Sequence, residues 1–549
     1  MKTVSEIPLK PIYTLLDDVV ASHGASKAMD FLGRQWTYQE LGDLVQRAAA
    51  GFRDLGVKQG VKVGLHLPNS PYYIISYFAV LKAGGTIVNY NPLYVERELS
   101  HQIKDSGTAI MVTMDLDALY SKLSSILGQG SLQKLVICKM ADILPLGKSA
   151  LFKLFKRKQL AKLPHDERLI GFEKLITMGS VFKPAAIDPK TEIAVLQYTG
   201  GTTGVPKGAV LTHGSITANV EQLRNLVSMF EHKEERMMCA LPFFHVFGMT
   251  VAMLLGIVSG AELILLPRFE VEQVLKLLMK KRPTMFPGVP TIYIALNRAI
   301  AAHGGKLKFD SIRYCISGGG PLPTEVKQEF ERLTGCKLVE GYGLSEASPV
   351  VTCNPFDREN REGSIGLPLL GTVVEFRSLE DPTKLVKVGE RGEVCVRGPQ
   401  VMAGYWQKPD ATNEVMVDGA LRTGDVGYAD ADGYIHIVDR VKDLIICSGF
   451  KVYPRAIEDA LYAHPDVLEA VVIGLPDAYR GQSPKAYVKL KDGMQLSAEA
   501  LKTHLAGHLS KLEMPSEIEF RTELPRTLIG KFSKKALLEE EKAKLGALV

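Results

Sequence analysis

The chain has 549 residues, 46% of them hydrophobic and 23% charged, with a formal net charge of +5. That length exceeds what one small core organises, so two or more globular domains are predicted, and so mild a charge argues against a nucleic-acid partner. The seven cysteines, Cys138, Cys239, Cys315, Cys336, Cys353, Cys395 and Cys447, include no CxxC pair, which speaks against a zinc or redox motif and for reduced thiols in a cytoplasmic setting.

Taken in chain order, the first stretch "MKTVSEIPLKPIYTLLDDVV" has no apolar core of the kind a signal peptide needs, and none is expected. "YQELGDLVQRAAAGFRDLG" predicts an amphipathic helix stopped at Gly56, "KVGLHL" a strand, "PYYIISYFAVLKAGG" a helix closed by Gly84 and Gly85, and "TIVNYN" and "AIMVT" further strands. Strands alternating with helices predict a mostly parallel sheet, and the pattern resumes after residue 190. Phe243 to Ala261 carries no formal charge and is long enough to cross a bilayer, but its glycines and His245 favour a buried helix of a large α/β core. From about residue 363, short strands between Gly and Pro turns predict a β-rich part. The last hundred residues return to mixed α and β. A boundary is placed near Asp439–Lys442, dividing the chain into 1–440 and 441–549. The C-terminal "KLGALV" carries no peroxisomal or retention address.

One segment is dense in chemistry. "QYTGGTTGVPKGAVLTH" follows an apolar run, so the glycine turn is expected to leave a strand. Glycines let backbone N–H groups face an anion, Thr199, Thr202 and Thr203 add hydroxyl donors, and Lys207 adds a compact positive charge. The combination suits a polyphosphate, although Pro206-Lys207-Gly208 is not the Walker A order.

This segment resembles the phosphate loop of adenylate-forming enzymes, the superfamily of acyl-CoA synthetases, peptide-synthetase adenylation domains and luciferases. Six further motifs of that family follow in order: "PFFHVFG" (Pro242–Gly248), "SGGGPLP" (Ser317–Pro323), "GYGLSEASP" (Gly341–Pro349), "RTGDVG" (Arg422–Gly427), "DRVKDLIICSGFKVYP" (Asp439–Pro454) and "PRTLIGKFSKKAL" (Pro525–Leu537). The resemblance covers nearly the whole chain. It implies an α/β fold: a large multi-subdomain N-terminal domain with parallel sheets and a β-rich part, and a small mobile α+β C-terminal domain.

The resemblance also assigns roles. Thr199, Gly200, Gly201, Thr203, Gly204 and Lys207 would cradle the phosphates of ATP. Glu346, with Thr202, would hold Mg²⁺, a hard ion suited to oxygen ligands. Gly318, Gly319, Gly320, Tyr342 and Gly343 would border the adenine, Asp425 would accept from the ribose hydroxyls, and Arg440 would approach the ribose or phosphate. Lys531 would reach the carboxylate and the α-phosphate during adenylation. His245 would help shape the carboxylate site. The "CSGFKV" segment, with Ser448 and Gly449, would face the thiol of coenzyme A after the small domain turns. Lys442 matches the hinge position, where many relatives carry aspartate.

Asp418 to Asp443 resembles the signature of fatty acyl-CoA synthetases, except that Ala420 replaces the usual tryptophan. The implied substrates are a long-chain fatty acid, ATP and coenzyme A. Ligases for medium-chain or aromatic acids and acyl-AMP ligases that load a carrier protein share these motifs and stay open, as does a luciferase-like use of the adenylate. Retention of Lys207, Glu346, Asp425 and Lys531 together argues against a non-catalytic fatty-acid-binding protein on the same fold. The oligomeric state is left open. Finally, "LPLGKSALFKLFKRKQLAKL", Leu144 to Leu163, carries Lys148, Lys153, Lys156, Arg157, Lys158 and Lys162 and no acid. Leu151, Phe152, Leu154 and Phe155 fall on one side of a helix there, a pattern that suits peripheral contact with the inner face of a membrane or, equally, an exposed basic insertion.

Overall fold

The computed structural model describes residues 7–179, 182–199, 206–227, 234–304, 309–358, 360–448, 450–477, 479–526 and 532–546. Helix Tyr38–Asp54 begins where the Thr37 side chain accepts the Glu40 N–H and the Glu40 carboxylate accepts the Thr37 N–H, a reciprocal cap. Leu41, Val45, Ala48, Ala49 and Phe52 form its buried stripe. Helix Pro71–Lys82 is buried on every side. Its one charge, Lys82, is paired with Asp17 at 2.8 Å.

The described residues form four sheets. In one, the strands run in the order Leu169–Gly171, Lys134–Cys138, Thr108–Met114, Lys62–Leu65, Thr86–Asn89, Ile193–Thr199 and Lys207–Thr212. All neighbours are parallel except the last pair, a hairpin. The second sheet has a parallel centre, Lys27–Phe31, Glu262–Leu265, Arg236–Cys239, Met285–Gly288, Tyr314–Ser317 and Leu338–Gly343, with antiparallel strands at both edges. Helix Pro71–Lys82 and the segment 242–258 lie in the apolar core that the two sheets share. A third, antiparallel sheet holds Val373–Arg377, Gly392–Arg397, Met416–Val417, Ala420–Ala429 and Ile435–Arg440, the β-rich part read from the turns after 363. The fourth, Ile445–Cys447, Phe450–Val452, Val467–Asp477, Gly481–Leu490 and Glu517–Phe520, has its own core around Ile457, Leu461, Val472, Val488 and Leu501.

The uncharged run at 243–261 is folded into the core. Gly248–Leu254 winds as a π-helix, continued by the α-helical turn Leu255–Val258, and residues 246–257 are buried. Among the described residues no helix is long and apolar enough to cross a membrane. The basic segment forms helix Leu146–Phe155 and a 3₁₀ turn, Arg157–Gln159. The expected apolar side divides: Phe152 turns inward against the main core, whereas Leu151, Leu154 and Phe155 are 56%, 71% and 72% exposed and Leu146 is 92% exposed.

Candidate active site

The glycine loop joins the two strands of the hairpin. Ile193–Thr199 enters it and Lys207–Thr212 leaves it, with Thr199 opposite Lys207 and the Thr199 hydroxyl donating to the Lys207 carbonyl at 3.4 Å. The loop residues Gly200, Gly201, Thr202, Thr203 and Gly204 lie outside the described residues, as do Gly449 and Lys531. The segment 403–406 runs along the outgoing strand: Val210 N–H donates to Gly404 O at 2.9 Å and Trp406 N–H to Gly208 O at 2.8 Å.

That edge segment supplies Tyr405, which no motif singled out. The Lys207 ammonium lies 5.2 Å from the Tyr405 ring centroid, a cation–π contact. The Tyr405 hydroxyl donates to Glu346 Oε1 at 2.8 Å. Burial, then the Glu346 charge, pushes the Tyr405 phenol above its ordinary range, so it stays a neutral donor. Glu346 sits on the 3₁₀ turn Ser345–Ala347, anchored by Met402 N–H on its carbonyl at 2.7 Å. Thus Lys207 and Glu346, 139 positions apart by residue number, share one aromatic ring.

A second cluster forms where strands Ala420–Ala429 and Ile435–Arg440 place Asp425 opposite Arg440. Arg440 Nε is 3.1 Å from Asp425 Oδ1, and the Tyr342 hydroxyl donates to Oδ2. Burial, then Asp425, raises the Tyr342 phenol, while Asp425 raises Arg440. Asp425 itself is buried, and each of its oxygens retains accepting capacity for further donors. Tyr342 therefore bonds through its hydroxyl to the carboxylate expected to hold ribose, leaving only its ring to face a base.

The glycines differ in what they do. A side chain at Gly318 would stand 3.0 Å from the Phe247 ring, so this glycine lets the strand end close on the "PFFHVFG" turn. Gly319 has φ +79°. At Gly343 a Cβ would come within 2.0 Å of the Pro349 carbonyl; backbone packing alone demands a glycine there. His245, half-buried in the same turn, accepts from Phe247 N–H through Nδ1 at 3.3 Å.

Ser448 is exposed at the tip of the Cys447–Phe450 hairpin, its N–H bonded to Arg480 O at 2.7 Å. That hairpin meets the β-rich part through Lys451 and Glu380, 3.7 Å apart, and Arg391 stacks over Tyr453. Among the described residues no hydrogen bond or ion pair ties Ser448 to Glu346, Tyr342 or Asp425. Asp439, which opens a family motif but takes no role of its own from it, accepts Arg440 N–H at 2.7 Å on one oxygen and Arg455 N–H, in the first turn of helix Pro454–Tyr462, at 2.8 Å on the other. Burial, opposed by Lys534, raises it to about 6.

Residues 16–406 match the model of the AMP-binding enzyme family, and residues 456–531 match that family's C-terminal domain. The chain belongs to the AMP-binding enzymes. This AMP-binding enzyme is 41% identical to the long-chain-fatty-acid–CoA ligase of Bacillus subtilis (strain 168), over 97% of this chain and 95% of that one. It is 39% identical to the ligase of the same name from Yersinia pestis, over 93% and 91%. Its structure superposes on ATP-bound MatB from Rhodopseudomonas palustris with a TM-score of 0.84 at 28% identity, covering 97% and 99% of the two chains. The expected fold, a large N-terminal α/β part with parallel sheets and a smaller C-terminal part, is the fold observed.

Proposed function

We propose that the protein is a long-chain fatty acid–CoA ligase. A fatty carboxylate oxygen attacks the α-phosphorus of ATP, the α–β anhydride bond breaks, and pyrophosphate leaves an acyl-adenylate. The thiolate of coenzyme A then attacks the acyl carbon and AMP departs with its oxygen. The observation that carries this reading is the near-full-length likeness to ligases of that name.

The first step brings two anions together, so fixed positive charge and preorganised donors supply the catalysis. We assign Lys207, with Thr199 and the loop glycines, to the phosphates. Asp425 takes the ribose hydroxyls beside Arg440, and Gly318 to Gly320 with the Tyr342 ring border the adenine. His245 and Lys531 serve the carboxylate end. Glu346 fits a Mg²⁺ ion: it is a hard carboxylate donor whose Oε1 is held by Tyr405, leaving Oε2 for a metal. With Thr202 it would hold an ion that takes its remaining ligands from water and phosphate, where the ion would offset phosphate charge. Residues 441–549 act as a mobile C-terminal domain against 1–440, turning about Lys442 to bring Ser448 and Gly449 to the thiol.

We further place the protein in the cytoplasm, touching an anionic membrane face through residues 144–163. The exposed Leu146, Leu151, Leu154 and Phe155 among six basic residues support this.

The deciding experiment is pyrophosphate release by purified protein with ATP, Mg²⁺ and coenzyme A, across acids from acetate to oleate plus benzoate. Preference for long chains is the expected result. Preference for a medium-chain or aromatic acid keeps the mechanism and overturns the substrate. Adenylate formation without thioester points to a carrier-protein acceptor, and no turnover with any acid returns the binding-protein reading.

A further inference from the structure

The stretch Leu241 to Phe244, just ahead of His245, has no strand or helix to satisfy its backbone. Side chains from elsewhere do so. Asn69 spends both amide hydrogens on Cys239 O (3.1 Å) and Leu241 O (2.8 Å), while its Oδ1 accepts Phe243 N–H (2.8 Å). The Tyr73 hydroxyl lies 2.8 Å from Phe243 O and 2.6 Å from Asn89 Oδ1. Asn89 Nδ2 donates to Gln197 Oε1 at 3.0 Å, and Gln197 Nε2 donates to Phe244 O at 3.1 Å. All four side chains are buried.

The direction of every bond is fixed by a backbone group at the end of the chain. The Phe244 carbonyl can only accept, so Gln197 must turn its amide nitrogen toward it and its oxygen toward Asn89. Asn89 must then present nitrogen to Gln197 and oxygen to Tyr73. The single Tyr73 hydroxyl hydrogen is left to two acceptors, Asn89 Oδ1 and Phe243 O. Burial holds this phenol well above its ordinary range, so it keeps that hydrogen.

We propose that Asn69, Tyr73, Asn89 and Gln197 form a positioning relay that sets the distance between the phosphate loop and the turn carrying His245. The relay spans the two sheets. Gln197 lies two residues before Thr199 on the strand entering the loop, and Asn89 lies on the neighbouring parallel strand. The held backbone leaves strand Arg236–Cys239 of the other sheet. This rests on the reading above that the His245 turn borders the acid's carboxylate. Two reactants held by separate sheets need such a tie, because an error near 1 Å in their separation can cost about 100-fold in rate.

Gln197→Glu keeps the shape and replaces the amide that donates to Phe244 O with an acceptor; Tyr73→Phe removes the shared hydrogen. ATP–pyrophosphate exchange with oleate, nucleotide binding and thermal unfolding would be measured for each. The expected result is a fall in kcat of about 10- to 100-fold, with KM for ATP within about twofold of wild type. The double variant should be no worse than about twofold below the poorer single, because both cut one chain. The control is Tyr77→Phe, one turn along the same helix, whose buried hydroxyl has no partner among the described residues; it should leave exchange unchanged. Should Gln197→Glu prove insoluble, Tyr73→Phe, the smaller change, carries the test. A purely structural role would lower the melting temperature without lowering kcat of the folded fraction, and that outcome refutes the relay. Wild-type exchange with unimpaired variants refutes the relay alone; no exchange by wild type with any acid refutes the ligase reading, and the relay with it.

Discussion

Tyr405→Phe isolates one bond. It deletes the hydroxyl that donates to Glu346 at 2.8 Å and keeps the ring that faces Lys207 at 5.2 Å. A hydrogen bond to a charged acceptor contributes about 1.5–3 kcal/mol net. If the bond holds Glu346 in its metal-binding orientation in the transition state, kcat/KM for ATP should fall by about 10- to 150-fold, since each 1.36 kcal/mol is a factor of ten. Excess Mg²⁺ should recover part of the loss, because a misaimed carboxylate weakens metal binding. Tyr405→Leu should lose a further ~0.5–2 kcal/mol, because the cation–π contact between the half-buried Tyr405 and Lys207 goes with the ring. The assay is the initial rate of ATP–pyrophosphate exchange across ATP and Mg²⁺ concentrations, with thermal unfolding as a control for folding. A Tyr405→Phe enzyme within twofold of wild type at every Mg²⁺ concentration would refute the coupling of Tyr405 to Glu346.

Lys442→Pro, in the short turn Val441–Asp443, should slow thioester formation more than adenylation; equal loss in separately timed half-reactions counts against a hinge there. Asp439 is raised to about 6, so its protonated form is favoured in the fold. Its contribution is complete below the unfolded value of ~3.9 and is lost as pH climbs through about 6, so stability relative to Asp439→Asn should fall by about 3 kcal/mol between pH 4 and pH 7. Urea unfolding of both proteins across that range checks it, and a flat difference contradicts the buried acid. Replacing Leu151, Leu154 and Phe155 together with serine should weaken binding to phosphatidylserine-containing vesicles at least about tenfold and leave activity on dissolved acid intact, since burying each side chain fully contributes about 1.5–3 kcal/mol. Unchanged sedimentation with vesicles removes the membrane role from this helix.

Features with a period or a punctuating residue were legible in the sequence. Helix Tyr38–Asp54 announced itself through its apolar spacing, Pro71–Lys82 through a continuous apolar run closed by two glycines, and strand Ile193–Thr199 through the apolar run ahead of the glycine turn. The β-rich part followed from turn spacing. Pairings across elements were not legible. Tyr405 meets Glu346 across 59 positions, and Gln197 meets Phe244 across 47, through a sheet neighbourhood no local pattern encodes. A weak signal existed for the relay: Gln197 and Asn89 each interrupt an apolar run, "AVLQYT" and "TIVNY", and a buried amide needs a partner. Phe152 differs for a related reason. A helical wheel places it beside Leu151 and Phe155, but only the fold decides which part of that arc meets the core.

Asp439 and Arg440 show how a strand end can serve two tasks. Successive residues of a strand point to opposite faces. Arg440 reaches Asp425, which lies before Lys442 like itself, whereas Asp439 holds the Arg455 N–H of helix Pro454–Tyr462, which lies after it. On the proposed rotation about Lys442 the first contact can survive and the second must break, together with Arg391–Tyr453 and Lys451–Glu380. Lys534 moves with its partners Glu458 and Asp443, but its attraction to Asp439 crosses the hinge and adds to the same latch. Asp439 is the most buried of the crossing groups, so its bond should dominate the latch. If the observed arrangement is the one that adenylates, Asp439→Ala should raise the rate of thioester formation relative to adenylation, by up to about tenfold for loss of a bond contributing ~1–1.5 kcal/mol. Rapid-quench timing of acyl-adenylate formation, and of its consumption by coenzyme A, reads the two rates separately. If both fall together, Asp439 is a helix cap and not a latch, and the rotation must be held by contacts elsewhere.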